Sequence, residues 1–301
     1  MAVLSIRPKA PRSPAPSRNK PVRGRRKAVG ALFAVPALAL FLVFAIYPML
    51  RVFYLSLFDY SLTSPPEFVG FENFTYLATD PQFGAALWQT VVYAAGTYVP
   101  ALALALVLAH ALNTRTRGSG LLRLLYFLPV AISWVAVSVI WRVVLNPDGL
   151  LNQALGLHLN WLTSSGSAMW GLVVMGVWKE TGFFLILFLA GLQSIPDELH
   201  EAARLDGAGA FARFRYVTWP MLLPVTAVCS VMAVIRGFQA FSPQLVLTNG
   251  GFGTQVVNLF VYKTAFENAR MGRASAVAVL MFLLLFGLTL LQLKVFARRD
   301  R

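Results

Sequence analysis

The sequence is poor in cysteine, histidine and charged residues. Its one cysteine, Cys229, lies inside an apolar run, so no internal disulfide can form. Only 13% of the 301 residues are charged, and Asp and Glu together number 12. The histidines His110, His158 and His200 are far apart and lack the spacing of a metal site. No GxxxxGK(S/T) phosphate loop is present, which argues against ATP hydrolysis by that route.

Long apolar runs, in contrast, fill most of the chain. The sequence is 57% hydrophobic, with a mean hydropathy of +0.65. At 1.5 Å per residue, a helix of about 20 apolar residues crosses the roughly 30 Å hydrocarbon layer of a membrane. The sequence therefore predicts an all-α polytopic membrane protein with six transmembrane helices. The six predicted spans are 31–48 with an extension towards 58, 88–112, 124–145, 169–193, 221–241 and 274–296.

The net charge of +14 is distributed unevenly along the chain. Residues 1–27 are rich in Lys, Arg, Pro and Ser and hold no acidic residue, which predicts a disordered tail ahead of a six-span transmembrane domain over 28–301. Most other basic residues lie in the loops 113–123 and 195–219 and at the C-terminus. Because positive loops stay in the cytoplasm, both termini are expected there. A nucleic-acid arm or an anionic-lipid clamp is an alternative role for the tail, but we favour a topology signal and expect no nucleic-acid partner.

A polar segment of roughly 30 residues, 195–224, interrupts two apolar runs with the sequence IPDELHEAARLDGAGAFARFRYVTWPMLLP. Pro196 is suited to open a helix, and Asp197 and Glu198 suit its positive first turn. Gly207 readily adopts the left-handed backbone conformation that ends many helices. Together these residues predict a helix over 196–206. A second helical piece is predicted from Phe211 to Trp219, ending at Pro220.

One face of the predicted helix carries small side chains. The 3,4 spacing of its residues places Leu199, Ala202, Ala203 and Asp206 on one side. The alanines leave little bulk, so a partner surface can approach closely. The helix is thus predicted to dock into a cleft of another protein, and an ordinary amphipathic connector between two spans is the alternative.

The order of residues in this segment carries a family resemblance. The run Glu201-Ala202-Ala203, the run Asp206-Gly207-Ala208, and the prolines Pro220 and Pro224 resemble the EAA cytoplasmic loop of ABC importer permeases, most closely the carbohydrate type. The segments Phe68–Phe74 and Leu247–Ala276 are also similar to this family, in which proline often stands in place of Phe252. Asn249-Gly250-Gly251 is predicted to form a tight turn, and Ala274-Ser275-Ala276 the start of the last helix.

The resemblance implies the fold and the partners of an ABC type I importer. It implies a cytoplasmic coupling helix, a second permease subunit of different sequence, a dimer of ATPase subunits and an extracytoplasmic solute-binding protein, all at a bacterial inner membrane. ATP would be bound by the ATPase subunits, so this chain needs no cofactor and is expected not to be an enzyme. The residues implied in ATPase coupling are Glu201, Ala202, Ala203, Asp206 and Gly207.

Charges inside the predicted spans are a second group of candidates, since each costs a few kcal/mol unless it is paired or hydrated. Lys179 and Glu180 fall in the fourth span and Arg236 in the fifth. Two interpretations stay open. Glu180 and Arg236 form a structural ion pair, or a polar cavity contacts a hydroxylated solute. The candidate lining of that cavity is Trp178, Lys179, Glu180, Arg236, Gln239 and Asn249.

Three functions are compatible with the sequence. The first is a permease for a carbohydrate or polyol, favoured by Asp206-Gly207-Ala208 and by the Thr-Asn-Gly-Gly run. The second is a permease of the same superfamily for amino acids, peptides or oxyanions. The third is a channel or secondary transporter that works alone, against which the absence of an internal sequence repeat counts mildly.

Overall fold

The computed structural model describes residues 35–61, 63–113 and 118–297. These residues fall into two compact units, one ending at Arg51 and the other beginning at Val52. The predicted basic tail, 1–27, lies outside the described residues, so its disorder and its boundary with the 28–301 domain stay predictions.

Helices dominate the described part of the chain. Five helical stretches there are long and apolar enough to cross a membrane: Val35–Leu55, Pro81–Leu112, Ala168–Gln193, Ala210–Thr248 and Met271–Phe296. A bent pair of shorter helices gives a sixth if the pair is one span. We label the first stretch α1, Pro81–Leu112 α3, Ala168–Gln193 α7, and Met271–Ala297 α13. Helix α3 begins seven residues before the predicted second span, because Asp80 caps its N-terminus by accepting from Gln82 N.

The loop after α1 contains a small β-hairpin, which the sequence did not predict. Strands β1 (Phe58–Ser61) and β2 (Ser64–Phe68) are antiparallel and are followed by α2 (Glu72–Thr79). The buried amide of Asn73 donates from Nδ2 to the carbonyls of Ser56 and Phe58, both at 2.9 Å. Helix α13 starts at Met271, three residues earlier than predicted. A Cβ on Gly272 would overlap the carbonyl of Phe58, so this helix begins directly against β1.

The third predicted span, 124–145, is not one helix, and that prediction is wrong. It is divided into α4 (Ser119–Ala131) and α5 (Trp134–Val144), which are bent by 103°. Ile132 and Ser133 are extended, with ψ of 139° and 150°. Ser133 Oγ accepts from Ala136 N at 3.3 Å, so it caps the N-terminus of a new helix rather than continuing the old one. Short helix α6 (Leu150–Leu155) follows.

The prediction that the second cytoplasmic piece ends at Pro220 is also wrong. Helix α8 (Asp197–Leu205) is followed by α9 (Ala210–Arg213), a π-helical turn over Phe214–Thr218 and α10 (Trp219–Phe238) without a break. Pro220 lies in the first turn of α10, where proline is tolerated. Two short helices, α11 (Ser242–Thr248) and α12 (Val257–Tyr262), precede α13.

Helices α3 and α7 pack along each other and form the centre of the second unit with α10. Ala101, Ala105 and Ala109 are fully buried at intervals of four along α3. Small residues in such a row allow membrane helices to approach closely. Phe184 and Leu185 of α7 fill the same cluster. This packing leaves a cavity beside the middle of α7.

Candidate functional site

A cavity of about 390 Å³ opens among α3, α5, α7, α10 and the start of α11. Its volume falls in the range of roughly 300–1,000 Å³ that is usual for small-molecule sites. The wall combines two opposite charges, an amide, three hydroxyl groups and several aromatic rings. Its lining residues are Tyr93, Tyr98, Trp134, Glu180, Met232, Ile235, Arg236, Gln239, Ala240, Phe241, Ser242 and Pro243.

The two charges in the wall form an ion pair. Arg236 Nη1 lies 3.0 Å from Glu180 Oε2 and 3.3 Å from Oε1. The Glu180 side chain is 3% exposed and that of Arg236 31%. The Arg236 guanidinium also lies 4.2 Å from the ring centroid of Phe183. The predicted ion pair between Glu180 and Arg236 is therefore present. It lies in the wall of a polar cavity, so the two interpretations that the sequence left open describe the same place.

Lys179 is not among the residues that line this cavity. Its side chain is 4% exposed, and Nζ donates to the carbonyls of Pro129 at 2.7 Å and Ile132 at 2.6 Å. Nζ also lies 5.0 Å from the centroid of the Trp134 ring. Its contacts are therefore with the break between α4 and α5.

The other candidates are divided between the cavity and distant places. Gln239 lines the cavity. Trp178 lines a separate apolar groove of α3, α4 and α7, and its ring lies 5.6 Å from that of Trp141. Asn249 caps the end of α11 with φ of 47°, and its carbonyl accepts from Lys263 Nζ at 2.7 Å. The predicted tight turn is present, since Gly251 N donates to Thr248 O at 2.9 Å.

The segment after α7 forms the surface helix α8, which starts one residue later than predicted. Gly207 has φ of 80°, the left-handed conformation expected at this helix end. Ala208 N donates to Ala203 O at 2.9 Å and Gly207 N to Arg204 O at 3.0 Å, the pair of bonds that defines a Schellman motif. The helix end is thus fixed by its own backbone.

No residue of α8 is buried. Glu201, Ala202 and Asp206 are exposed and Ala203 is half-buried. Two large apolar side chains next to this face are almost entirely in solvent, with Leu205 90% and Phe211 80% exposed. Exposed apolar side chains of this kind are compatible with a docking surface, and the predicted role of α8 in ATPase coupling remains a prediction.

Comparison with known proteins decides the family. Residues 101–301 match the family described as "Binding-protein-dependent transport system inner membrane component". This chain belongs to that family. It is 37% identical over 284 residues to the probable ABC transporter permease protein YurN of Bacillus subtilis, covering 90% of this chain and 97% of the relative.

Another relative of the permease is the trehalose/maltose transport system permease protein MalF of Thermococcus litoralis, 34% identical over 278 residues, with 90% and 94% of the two chains covered. Among solved structures, the permease resembles a chain of a bacterial ABC transporter involved in the import of the acidic polysaccharide alginate. The TM-score is 0.81 at 23% identity, over 91% of this chain and 96% of the other. The chain is thus an all-α membrane permease and not an enzyme.

Three aromatic residues of the permease's cavity were missed by sequence reasoning. Tyr93 and Tyr98 are 1% and 5% exposed on α3, and Trp134 starts α5. Aromatic residues inside apolar runs have the same appearance whether they face lipid, a neighbouring helix or a cavity. No local signal distinguishes them, because the cavity is formed by helices that are distant in sequence.

Among the described residues, no group of three or more His, Cys, Asp or Glu is arranged to hold a metal ion.

Proposed function

We propose that this permease forms the membrane pathway for a carbohydrate or polyol-type solute in an ATP-driven ABC importer. The cavity wall is the observation that carries the proposal. Glu180 and Arg236 neutralise each other, so the lining residues have no net charge but still present hydrogen-bond acceptors and donors. Tyr93, Trp134 and Phe241 add apolar ring faces. A neutral, hydroxylated solute matches such a wall.

The relatives support this substrate class. Besides the trehalose/maltose permease, they include the arabinooligosaccharides transport system permease protein AraP of Bacillus subtilis, 31% identical over 281 residues with 90% of this chain covered. They also include the multiple sugar-binding transport system permease protein MsmF of Streptococcus mutans, 34% identical over 274 residues with 88% covered. An oxyanion would be favoured by an unpaired positive charge in the wall, and the paired charges of this cavity do not supply one.

We infer that the chain works with a second permease subunit, two ATPase subunits and an extracytoplasmic solute-binding protein. A similar solved structure, with a TM-score of 0.79, is that of a bacterial alginate ABC transporter in complex with an alginate pentasaccharide-bound periplasmic protein. ATP would be bound by the ATPase subunits. The unequal distribution of Lys and Arg supports placing both termini and α8 on the cytoplasmic side of the bacterial inner membrane.

The proposed mechanism is mechanical. Helix α8 follows α7 after three residues and leads through α9 into α10, so it is tied to the two helices that hold Glu180 and Arg236. In this proposal Glu201 contacts the ATPase, Ala202 and Ala203 form the close-approach surface, and Asp206 and Gly207 end the helix. Closure of the ATPase dimer on ATP moves α8 and shifts the helices from an inward-open to an outward-open state.

Uptake by cells that express the whole transporter tests the substrate class. Radiolabelled disaccharides, polyols, amino acids and phosphate are compared, with a strain lacking the ATPase subunit as control. We expect uptake of a sugar or polyol that disappears without the ATPase. Uptake restricted to an amino acid or phosphate, or uptake that persists without the ATPase, would contradict the proposal.

A crosslinking experiment tests the coupling surface. Cys229 is the single cysteine, so Cys229→Ala provides a background for Ala202→Cys. We expect a reagent with one thiol-reactive end and one photoactivated end to join position 202 to the ATPase subunit in membranes, since the ATPase then needs no cysteine of its own. A cysteine in place of Asp148, outside the segment 195–224, is the matched control and should give no such product. Equal crosslinking from both positions, or none from 202, would count against the docking role.

A further inference from the structure

The break between α4 and α5 leaves backbone groups that need partners. A helix ends with carbonyls that have no intrahelical donor, and in a membrane such groups cost several kcal/mol when unpaired. Ser133, which lies in the break itself, caps the N-terminus of α5. At the C-terminus of α4, Ile132 N donates to Pro129 O at 3.3 Å, and because a carbonyl oxygen has two lone pairs it can accept a second donor.

Lys179 supplies a side-chain donor from α7 to this end of α4. Its Nζ bonds to the carbonyls of Pro129 and Ile132, at 2.7 and 2.6 Å, across about 50 residues of sequence. A positive charge at a helix C-terminus also interacts favourably with the helix dipole. Among the described residues Lys179 takes part in no salt bridge, and the carboxylate of neighbouring Glu180 is engaged by Arg236.

A close backbone contact fixes the same interface one turn further along α7. Gly182, three residues after Lys179, lies so near α4 that a Cβ there would overlap the carbonyl oxygen of Tyr126. Tyr126 is three residues before Pro129. Residues three apart share a helix face, so Lys179 and Gly182 present one surface of α7 to the last turns of α4.

We propose that Lys179 is a positioning residue for transport: its ammonium group clamps the end of α4 and thereby sets the angle at which α5 begins. The functional consequence lies at Trp134, the first residue of α5, which lies over the Lys179 ammonium and lines the cavity. Lys179 therefore shapes the wall without itself contacting the solute. The inference deepens the proposed function, since it depends on that cavity being the pathway.

Site-specific labelling measures the position of this wall directly. In a Cys229→Ala background, Trp134→Cys reports the α5 wall and Gln239→Cys reports the α10 wall of the same cavity. A membrane-impermeant thiol reagent is applied to membranes that contain the whole transporter, with and without Lys179→Met, which preserves side-chain volume but removes the donors. We expect labelling at 134 to slow, while labelling at 239 stays unchanged, because only the α5 wall depends on Lys179.

Two further variants separate the clamp from simple packing. Lys179→Arg keeps the hydrogen-bond donors and the charge, so we expect labelling at 134 and uptake close to those of the parent. If Lys179 acted only by filling space, the larger arginine side chain would not preserve them. Gly182→Ala leaves Lys179 intact but forces α4 away, and should slow labelling at 134 in the same way. It keeps the test decisive if Lys179→Met fails to reach the membrane.

Unchanged labelling at 134 in both Lys179→Met and Gly182→Ala would overturn the clamp. Equal slowing at 134 and 239 would also overturn it, because it would show a general loss of packing. Labelling does not depend on which solute is carried. A parent transporter that imports no sugar but shows the expected labelling would therefore refute the proposed substrate and leave the clamp standing.

Discussion

Replacing Arg236 by leucine should destabilise the permease more than any surface charge change. The substitution leaves the carboxylate of Glu180, which is 3% exposed, without its partner at 3.0 Å. Breaking a buried pair in this way costs about 3–5 kcal/mol, and the 31% exposure of Arg236 places the expected value near the lower end. Loss of the guanidinium above the Phe183 ring adds about 1 kcal/mol.

The measurement is the thermal transition of the purified transporter in lipid nanodiscs, together with uptake in cells. A total loss of about 4 kcal/mol corresponds to a fall in Tm of roughly 6 °C for a chain of this size. Restoring opposite charges with Glu180→Arg and Arg236→Glu together should recover part of the stability, but not the contact of Arg236 with Phe183.

The matched control is the exposed pair of Asp59 and Arg270, whose atoms are 3.8 Å apart and whose side chains are 51% and 49% exposed. Solvent-exposed pairs contribute at most about 1 kcal/mol. Asp59→Asn should therefore leave Tm and uptake nearly unchanged. If Arg236→Leu shifts Tm no more than Asp59→Asn does, or if the swapped pair recovers nothing, the assignment of Glu180 and Arg236 as a mutually dependent pair is wrong.

Three other changes have defined outcomes. Gly207→Val should reduce uptake although the protein reaches the membrane in normal amounts, because a β-branched residue at φ of 80° strains the backbone by about 1–2 kcal/mol. Gly207→Asn should retain uptake, and equal uptake by the two variants would contradict this prediction. Asn152→Ala should lower Tm by several degrees, because Trp161 Nε1 loses its acceptor at 2.7 Å and about 2 kcal/mol of stability is lost. Gln153→Ala, which removes an exposed hydrogen bond, is the control, and a Tm shift no larger than that of the control would argue against this prediction. Deletion of residues 1–25 should leave uptake largely intact, and complete loss would show that the tail is more than a topology signal.

The sequence predicted those elements whose determinants are local. Helix α8 was located within one residue because Pro196, the acidic first turn and Gly207 are all neighbours in sequence. The apolar runs predicted the long helices because hydrocarbon thickness sets their length. The break at Ile132 was missed, since an apolar composition is the same for a straight and a bent span and the clamping donor comes from Lys179, far along the chain.

The candidate site was predicted only in part. Glu180, Arg236 and Gln239 could be selected because polar groups in a membrane are costly and rarely lack a role. Lys179 was selected by the same logic and Trp178 as an aromatic ring that could contact a sugar, but in the structure Lys179 contacts the break between α4 and α5 and Trp178 lines a separate groove. The direction of each side chain depends on how α7 is rotated against α3 and α4, and this is decided by close contacts such as that of Gly182.

The π-helical turn at Phe214–Thr218 holds an additional residue without rotating the cytoplasmic face. Trp219 N bonds to Phe214 O five residues back, so this turn contains one residue more than an α-helical turn would. Both kinds of turn close on nearly the same azimuth, so removing Val217 would let the turn revert to α geometry and would leave the direction of α9 and α8 almost unchanged. A one-residue deletion within the regular part of α10 has no such turn to absorb it, and it would rotate α9 and α8 by about 100° and point Ala202 away from its partner.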